Sequence, residues 1–289
     1  MDILTNYTFQ IIALGTALLA AVAAPVGALS VYKGQSLIGD AIGHATFPGV
    51  VLAYMAFATR SPAVLLVGAM AAAAVTFFAI QAANENTRIG LNANLAIFLS
   101  GFFGLGMVLK SFIQGHADYR GASQAGLETY IFGQAAYMLE GDVWLIALVA
   151  ALCAALFLAF YKELKVFVFD AEYAQAAGLP VRLLHVLLPL LTIAVIGIGI
   201  KAVGAILISS FLIIPCVAAS QWSNDFSRVL LLSAVFGMAA ALLGTYVSTI
   251  ESGMSTGPSI ILAACAIAFF SMLCGKWGVL RRRLRREKE

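Results

Sequence analysis

The sequence alternates long apolar runs with short polar stretches along nearly its whole length. Nine apolar segments can be marked, each close to the roughly 20 residues that a membrane-spanning helix requires. They cover residues 9–31, 39–58, 62–83, 93–112, 143–161, 184–200, 202–220, 229–250 and 257–275. This pattern predicts an all-α fold, a polytopic bundle of transmembrane helices with eight or nine spans. The count is eight, with the N-terminus inside, if one segment is re-entrant.

The composition excludes the soluble classes of protein. Of the 289 residues, 62% are hydrophobic and 11% are charged, whereas soluble domains have about 45–50% and about 25%. So little polar surface cannot cover a globule in water, and so many apolar residues are not typical of a disordered chain. There is no linker and no low-complexity tract. We therefore expect residues 1–280 to form a single transmembrane domain and residues 281–289 to form a basic cytoplasmic tail.

The placement of Lys and Arg predicts the orientation. Residues 276–289 carry seven basic residues and two glutamates, although the whole chain has a net charge of only +3. A basic cluster directly after an apolar segment is typical of the cytoplasmic side of a membrane, and we expect no nucleic-acid binding. With nine spans, thirteen basic residues then lie inside, while Arg60, Lys110 and Arg120 lie outside and Lys201 lies at a boundary. Loop 113–142 is accordingly predicted to be external and segment 162–182 cytoplasmic.

Two ionisable residues lie near the start of the second apolar segment (39–58), within the stretch SLIGDAIGHATFPG at residues 36–49. Asp40 and His44 are four residues apart, so in a helix they lie on one face, about 6 Å apart along the axis. A carboxylate and an imidazole form a partial ligand set for a divalent first-row cation. Ionisable groups inside a membrane are costly and typically mark an ion path. The alternative is that Asp40 caps a helix and His44 bonds a neighbouring backbone; a metal site would need further ligands from a second copy or from elsewhere in the chain.

The other candidate residues have simpler interpretations. His116 and Asp118 fall in the external loop, where solvation is expected, although they could contact an ion or a partner. His185 begins a span and is predicted to be interfacial, and Lys201 to reach the outer interface. No C-x-x-C pair is present, so the four cysteines are interpreted as small hydrophobic residues (Cys153, Cys216, Cys265 and Cys274).

The longest cytoplasmic interruption, KELKVFVFDAEYAQAAGLPVR at residues 162–182, contains a short predicted helix. Asp170 precedes good helix formers, and Gly178-Leu179-Pro180 supplies the stop. The segment is either an amphipathic connector or a docking helix for a cytoplasmic subunit.

Common catalytic motifs are missing. Residues 104–111 read GLGMVLKS, in which Leu109 replaces the glycine that a phosphate-binding loop requires. The motifs H-E-x-x-H and G-x-S-x-G are also missing from the sequence. The chain is therefore not expected to be an enzyme, and if transport is driven by ATP, another polypeptide must hydrolyse it.

Five blocks together resemble the metal-ion permease family of ABC importers, which carry manganese, zinc or iron. They are GQSLIGDAIGHATFPGVVLAY (34–54), QAGLETYIFGQ (124–134), FDAEYAQAAGLP (169–180), KAVGAILISSFLIIPCVAAS (201–220) and STGPSIILA (255–263). The match covers nearly the whole chain, in the family's order. The second block leans towards the manganese branch.

The resemblance implies a permease of the bacterial cytoplasmic (inner) membrane that works with other proteins. These are a second permease copy or a paralogue, two cytoplasmic ATPase subunits and an external metal-binding receptor, besides membrane lipid. It implies no permanently bound cofactor: the cargo is Mn²⁺, or else Zn²⁺ or Fe²⁺, and ATP binds the partner subunit. The intramembrane metal residues map onto Asp40 and His44, and the ATPase-docking residues onto Asp170, Glu172, Ala174 and Gly178. The alternative is a secondary metal/proton transporter that works alone, with Asp40 as the protonated coupling group.

Overall fold

The computed structural model describes residues 6–59, 61–116, 133, 135, 138–250 and 254–278, except for the Lys201 side chain. These residues form α-helices and connecting turns and contain no strand. The helices are α1 (Tyr7–Tyr32), α2 (Ile38–Phe57), α3 (Pro62–Asn86), α4 (Leu91–Gly115), α5 (Glu140–Ala159), α6 (Tyr161–Phe169), α7 (Ala171–Ala176), α8 (Val181–Val203), α9 (Ala205–Ser220), α10 (Phe226–Ile250) and α11 (Thr256–Cys274). The predicted all-α fold is confirmed.

Each of the nine apolar segments forms a helix, but the predicted count of eight or nine spans is not confirmed. In the described part of the chain, seven helices are long and apolar enough to cross a membrane: α1, α3, α4, α5, α8, α10 and α11. Helix α9 has 16 residues and is roughly 24 Å long, short of the hydrocarbon thickness of about 30 Å. Helix α2 contains Asp40, His44 and Pro48 among its 20 residues, and these lower its hydropathy.

The helices differ in how deeply they lie in the bundle. Helices α1 and α8 are central, with 61% and 67% of their most apolar stretch buried, whereas the figure for α4 is 11%. Helix α1 packs against α10, α9, α5 and α8, while α2 packs mainly against α3 and α4. The exposed apolar side chains of the helices of lowest burial are suited to contact with lipid.

Ring and hydroxyl contacts define the two ends of the bundle. At one end the rings of Tyr32, Phe169 and Phe226 meet edge to face, with centroids 5.2–5.7 Å apart. At the other end the Tyr7 hydroxyl donates a hydrogen bond to the Glu140 carboxylate. The polar connections before α2, α7 and α10 therefore share one end, and the starts of α1 and α5 share the opposite end.

Small residues bring α2 close to its neighbours. A Cβ atom placed on Gly49 would collide with the backbone carbonyl of Gly68 in α3, and one on Gly39 would approach the Leu212 side chain of α9 to 2.6 Å. Close approach of backbones at small residues is a common way to hold membrane helices together. Helix α2 is thus fixed between α3 and α9 on both sides of the Asp40–His44 turn.

Candidate functional site

Asp40 and His44 lie one turn apart near the start of α2. The Nε2 atom of His44 is 3.4 Å from Oδ1 of Asp40, and the two side chains are 19% and 31% exposed, respectively. The turn Gln35–Ile38, closed by a 3.1 Å backbone hydrogen bond, precedes the helix and places Asp40 in its first turn. The predicted juxtaposition on one helix face is present.

The imidazole of His44 is held by an aromatic neighbour and has one free nitrogen. Its ring meets Phe103 of α4 edge to face, with centroids 5.2 Å apart. The Nδ1 atom is buried and has no hydrogen-bond partner among the described residues. A buried ring nitrogen without a hydrogen-bond partner is uncommon in folded proteins and needs an explanation. In the tautomer with the proton on Nε2, this nitrogen can donate its lone pair to a cation without first breaking a hydrogen bond.

Helix α9 borders the pair from the opposite side. The chain turns at Gly204, whose φ of +84° suits glycine, and α9 begins at the next residue. Ser209 of α9 is only 7% exposed and lies near the Asp40 carboxylate, while its hydroxyl donates a 3.0 Å hydrogen bond to the Ile206 carbonyl. Sequence reasoning missed this residue. The one available signal was a hydroxyl pair, Ser209-Ser210, within an otherwise apolar segment.

The described residues do not complete a metal site by themselves. No group of three or more His, Cys, Asp or Glu side chains comes together in the part of the chain that the structure describes. Asp40 and His44 thus form a partial ligand set of one oxygen donor and one nitrogen donor. Such a pair can contribute to a path for a cation but needs further ligands to hold it tightly.

The predicted short helix of the connecting segment is present as α7. Asp170 is its N-cap, and its carboxylate accepts a 2.8 Å hydrogen bond from the Tyr173 N–H. At the other end Gly178 has a φ of +77°, and the Leu179 N–H donates to the Ala174 carbonyl, which closes the helix. Of the four docking candidates, Asp170, Glu172 and Gly178 are exposed and Ala174 is buried. Three of the candidates are therefore accessible to a partner protein, whereas Ala174 is covered by the rest of the chain.

The remaining candidates are not brought to the Asp40–His44 pair. His116 follows α4, where its Nδ1 lies 3.1 Å from the Phe112 carbonyl and its ring stacks on Phe112. His185 of α8 meets the Phe167 ring edge to face at 4.8 Å. Several predictions lie outside the described residues: Arg60, Asp118, Arg120, nearly all of block 124–134, the Lys201 side chain and tail 281–289.

A bundle of apolar helices with a carboxylate–imidazole pair inside it and a capped helix at one end has the features of a membrane transport subunit. Comparison with known proteins agrees: the chain belongs to the ABC 3 transport family, which matches residues 5–275. The resemblance found in the sequence is confirmed at this level. The chain is an integral membrane protein and a permease subunit of a transporter, not an enzyme.

Two similar proteins are membrane components of metal transport systems. The manganese transport system membrane protein MntC of Bacillus subtilis is 36% identical over 284 residues. That match covers 95% of this chain, which spans 65% of the length of MntC. The zinc transport system membrane protein TroC of Treponema pallidum is 36% identical over 289 residues. That match covers 100% of this chain and 96% of TroC.

A solved complex has a similar fold. PsaBC from Streptococcus pneumoniae in complex with Fab contains a chain that superimposes with a TM-score of 0.82 at 27% identity. The similarity covers 98% of this chain and 96% of that chain.

Proposed function

We propose that this chain is the membrane-spanning subunit of an ATP-driven importer of divalent metal ions, with Mn²⁺ as its main cargo. The observation that carries the proposal is the Asp40–His44 pair, 3.4 Å apart, within a chain of the ABC 3 transport family. A carboxylate in a membrane-spanning bundle costs about 2.5–3.5 kcal/mol on insertion scales. A passing cation offsets that cost.

The donor types are compatible with both manganese and zinc. Asp40 offers a hard oxygen and His44 an imidazole, and in the described residues no cysteine joins them in a cluster. Oxygen ligands suit Mn²⁺, whereas imidazole suits Zn²⁺ and Fe²⁺ as well. The names of the relatives, one manganese and one zinc system, support both cargoes. We place Mn²⁺ first because block 124–134 resembles the manganese branch of the family, with Zn²⁺ and Fe²⁺ as alternatives.

The proposed assembly follows from what the chain lacks. Asp40 and His44 supply only two ligands, so we infer that a second permease copy or paralogue brings further ligands to the cation. The chain has no phosphate-binding loop, so two cytoplasmic ATPase subunits bind at α7 and its flanks. An external metal-binding receptor delivers the cargo. In this proposal residues 1–280 form one domain in the bacterial cytoplasmic membrane, residues 281–289 form a cytoplasmic tail, and α2 and α9 cross with the other seven helices.

The deciding experiment replaces Asp40 by asparagine. Asp40→Asn keeps the volume and removes the charge, so uptake of radioactive Mn²⁺ at low external metal should be lost while the complex still assembles. Asp225→Asn is the matched control, because Asp225 is an exposed carboxylate paired with Arg228 at 3.6 Å. Leu37 is the N-cap of α2 and makes no side-chain capping bond, so Asp40 is not a helix cap. Near-normal uptake by Asp40→Asn would mean that Asp40 is not a metal ligand.

The same assay identifies the energy source and the cargo. Uptake should stop when the partner ATPase is inactivated, and uptake that persists would favour a transporter that works alone. Unlabelled Zn²⁺ and Fe²⁺ should compete less well than unlabelled Mn²⁺. Stronger competition by Zn²⁺ would move the cargo assignment to zinc.

A further inference from the structure

One face of α9 lies against α2 at the level of the Asp40–His44 pair. A Cβ atom on Gly43 would lie 3.8 Å from the Ala205 carbonyl, and one on Gly39 would lie 2.6 Å from the Leu212 side chain. Residues 205, 209 and 212 are four and three apart, so they share one face of the helix. Ser209 is therefore between the two contact points, opposite the turn that carries Asp40.

Ser209 is the polar residue on this face. Its side chain is buried, with 7% exposed, and its Oγ lies 3.0 Å from the Ile206 carbonyl within its own helix. The same hydroxyl lies near the Asp40 carboxylate, between the two α2–α9 contact points. A serine hydroxyl has one proton and two lone pairs, so it can donate to only one of these oxygens at a time. A bond to the ionised carboxylate is the stronger of the two.

We propose that Ser209 is a positioning residue for the transported metal: its hydroxyl holds the Asp40 carboxylate in the orientation in which that carboxylate and His44 bind the cation together. This inference rests on the proposed function. It assigns to α9 the outer-shell hydrogen bond that metal-binding side chains usually need, since such partners fix the orientation of a ligand. Asp40 is 31% exposed, so without Ser209 the His44 contact at 3.4 Å would be left to orient its carboxylate.

Ser210 provides a matched control. It is the next residue of α9, and its Oγ also bonds the Ile206 carbonyl, at 2.8 Å. Replacing either serine by alanine removes one hydroxyl and one local hydrogen bond of the same kind. The variants differ in that Ser209 lies near Asp40, so a difference between them reports that contact and not helix stability.

The test measures Mn²⁺ uptake as a function of external Mn²⁺ in complexes shown to be fully assembled. Ser209→Ala should raise the half-saturating concentration by about 10-fold or more, the usual cost of losing an outer-shell partner, and should change the maximal rate much less. Ser210→Ala should match the wild type. Ser209→Thr, which keeps a hydroxyl at the same position, should restore the half-saturating concentration to within a few-fold.

Other outcomes overturn the inference. If Ser209→Ala and Ser210→Ala behave alike, or if Ser209→Thr is as impaired as Ser209→Ala, the hydroxyl does not position Asp40. Asp40→Asn in the same series separates this failure from a failure of the proposed function. If Asp40→Asn loses uptake and Ser209→Ala behaves normally, only the role of Ser209 is refuted. If Asp40→Asn has normal uptake, the metal site itself is refuted.

Discussion

The two ring nitrogens of His44 have different surroundings: Nε2 lies 3.4 Å from Oδ1 of Asp40, and Nδ1 is buried without a hydrogen-bond partner among the described residues. The Asp40 contact orients the ring, and the second nitrogen is left available. This arrangement suits an imidazole that binds a cation in passing, because no strong hydrogen bond has to be broken first.

We expect His44→Ala to abolish Mn²⁺ uptake at low external metal while the complex assembles normally. Loss of a direct ligand should reduce uptake by more than the roughly 10–100-fold that an outer-shell partner contributes. His116→Ala is the control, because the His116 ring stacks on Phe112 at the end of α4 and should have little effect. Equal uptake by the two variants would show that His44 is not a ligand.

The second prediction concerns the docking surface on α7. Tyr173 is 62% exposed there, and Glu172 beside it is also exposed. If ATPase subunits bind this surface, Tyr173→Ala and Glu172→Lys should each reduce ATPase co-purification by roughly 10-fold or more, as truncation of an interface hot spot does. Trp144→Ala removes an aromatic ring that is 76% exposed on α5 and should not change co-purification.

Substitution of Ala174, in contrast to the exposed docking candidates, should affect the stability of the permease itself. Its side chain is completely buried, and its N–H donates a 3.0 Å hydrogen bond to the Asp170 carbonyl. Ala174→Pro removes that bond and should lower the melting temperature of the permease alone. A normal melting temperature together with lost ATPase binding would place Ala174 in the interface instead.

The third prediction is topological. In a variant with its four cysteines replaced, a single cysteine at Gln175 should react with an impermeant thiol reagent only from the cytoplasmic side. A cysteine at His116 should react from outside, because both positions are exposed and the Lys/Arg distribution places them on opposite sides. External labelling at position 175 in intact cells would invert the orientation and remove the docking assignment.

The fourth prediction concerns Lys33, in the connection between α1 and α2. Its ammonium lies 4.0 Å from the centroid of the Phe167 ring, and Lys33 and His185 of α8 line the same small cavity. Burial lowers the pKa of Lys33 from 10.5 to about 8, because a charge is disfavoured away from water. Between pH 8 and 10.5 the unfolded chain therefore binds more protons at Lys33 than the folded chain does. The burial cost is complete below pH 8 and is relieved as the pH rises, so stability should increase across this window.

Thermal unfolding in detergent between pH 7 and 10 checks this expectation. The melting temperature of the wild type should rise relative to that of Lys33→Met as the pH increases from 8 to 10. Lys162→Met, which replaces an exposed lysine, should keep a constant offset from the wild type. A constant offset for Lys33→Met would show that Lys33 stays charged over the whole range.

The sequence by itself determined the helices and the local geometry within them. Nine apolar segments predicted nine helices because hydropathy reports directly on membrane insertion. The spacing of Asp40 and His44 predicted their contact because residues four apart on a helix are neighbours. Asp170 and Gly178 predicted the ends of α7 because capping depends on a few adjacent residues.

Only the tertiary structure decided which side chains from distant parts of the sequence approach Asp40 and His44. Ser209 and Phe103 approach the pair on α9 and α4, far along the chain, and no local pattern encodes that meeting. The sequence also did not distinguish the central α1 from the peripheral α4, although 61% and 11% of their apolar stretches are buried. The physical reason is that lipid tails are as apolar as a protein core. In a membrane, hydropathy predicts which segments form spans, while side-chain packing decides which of their faces meet.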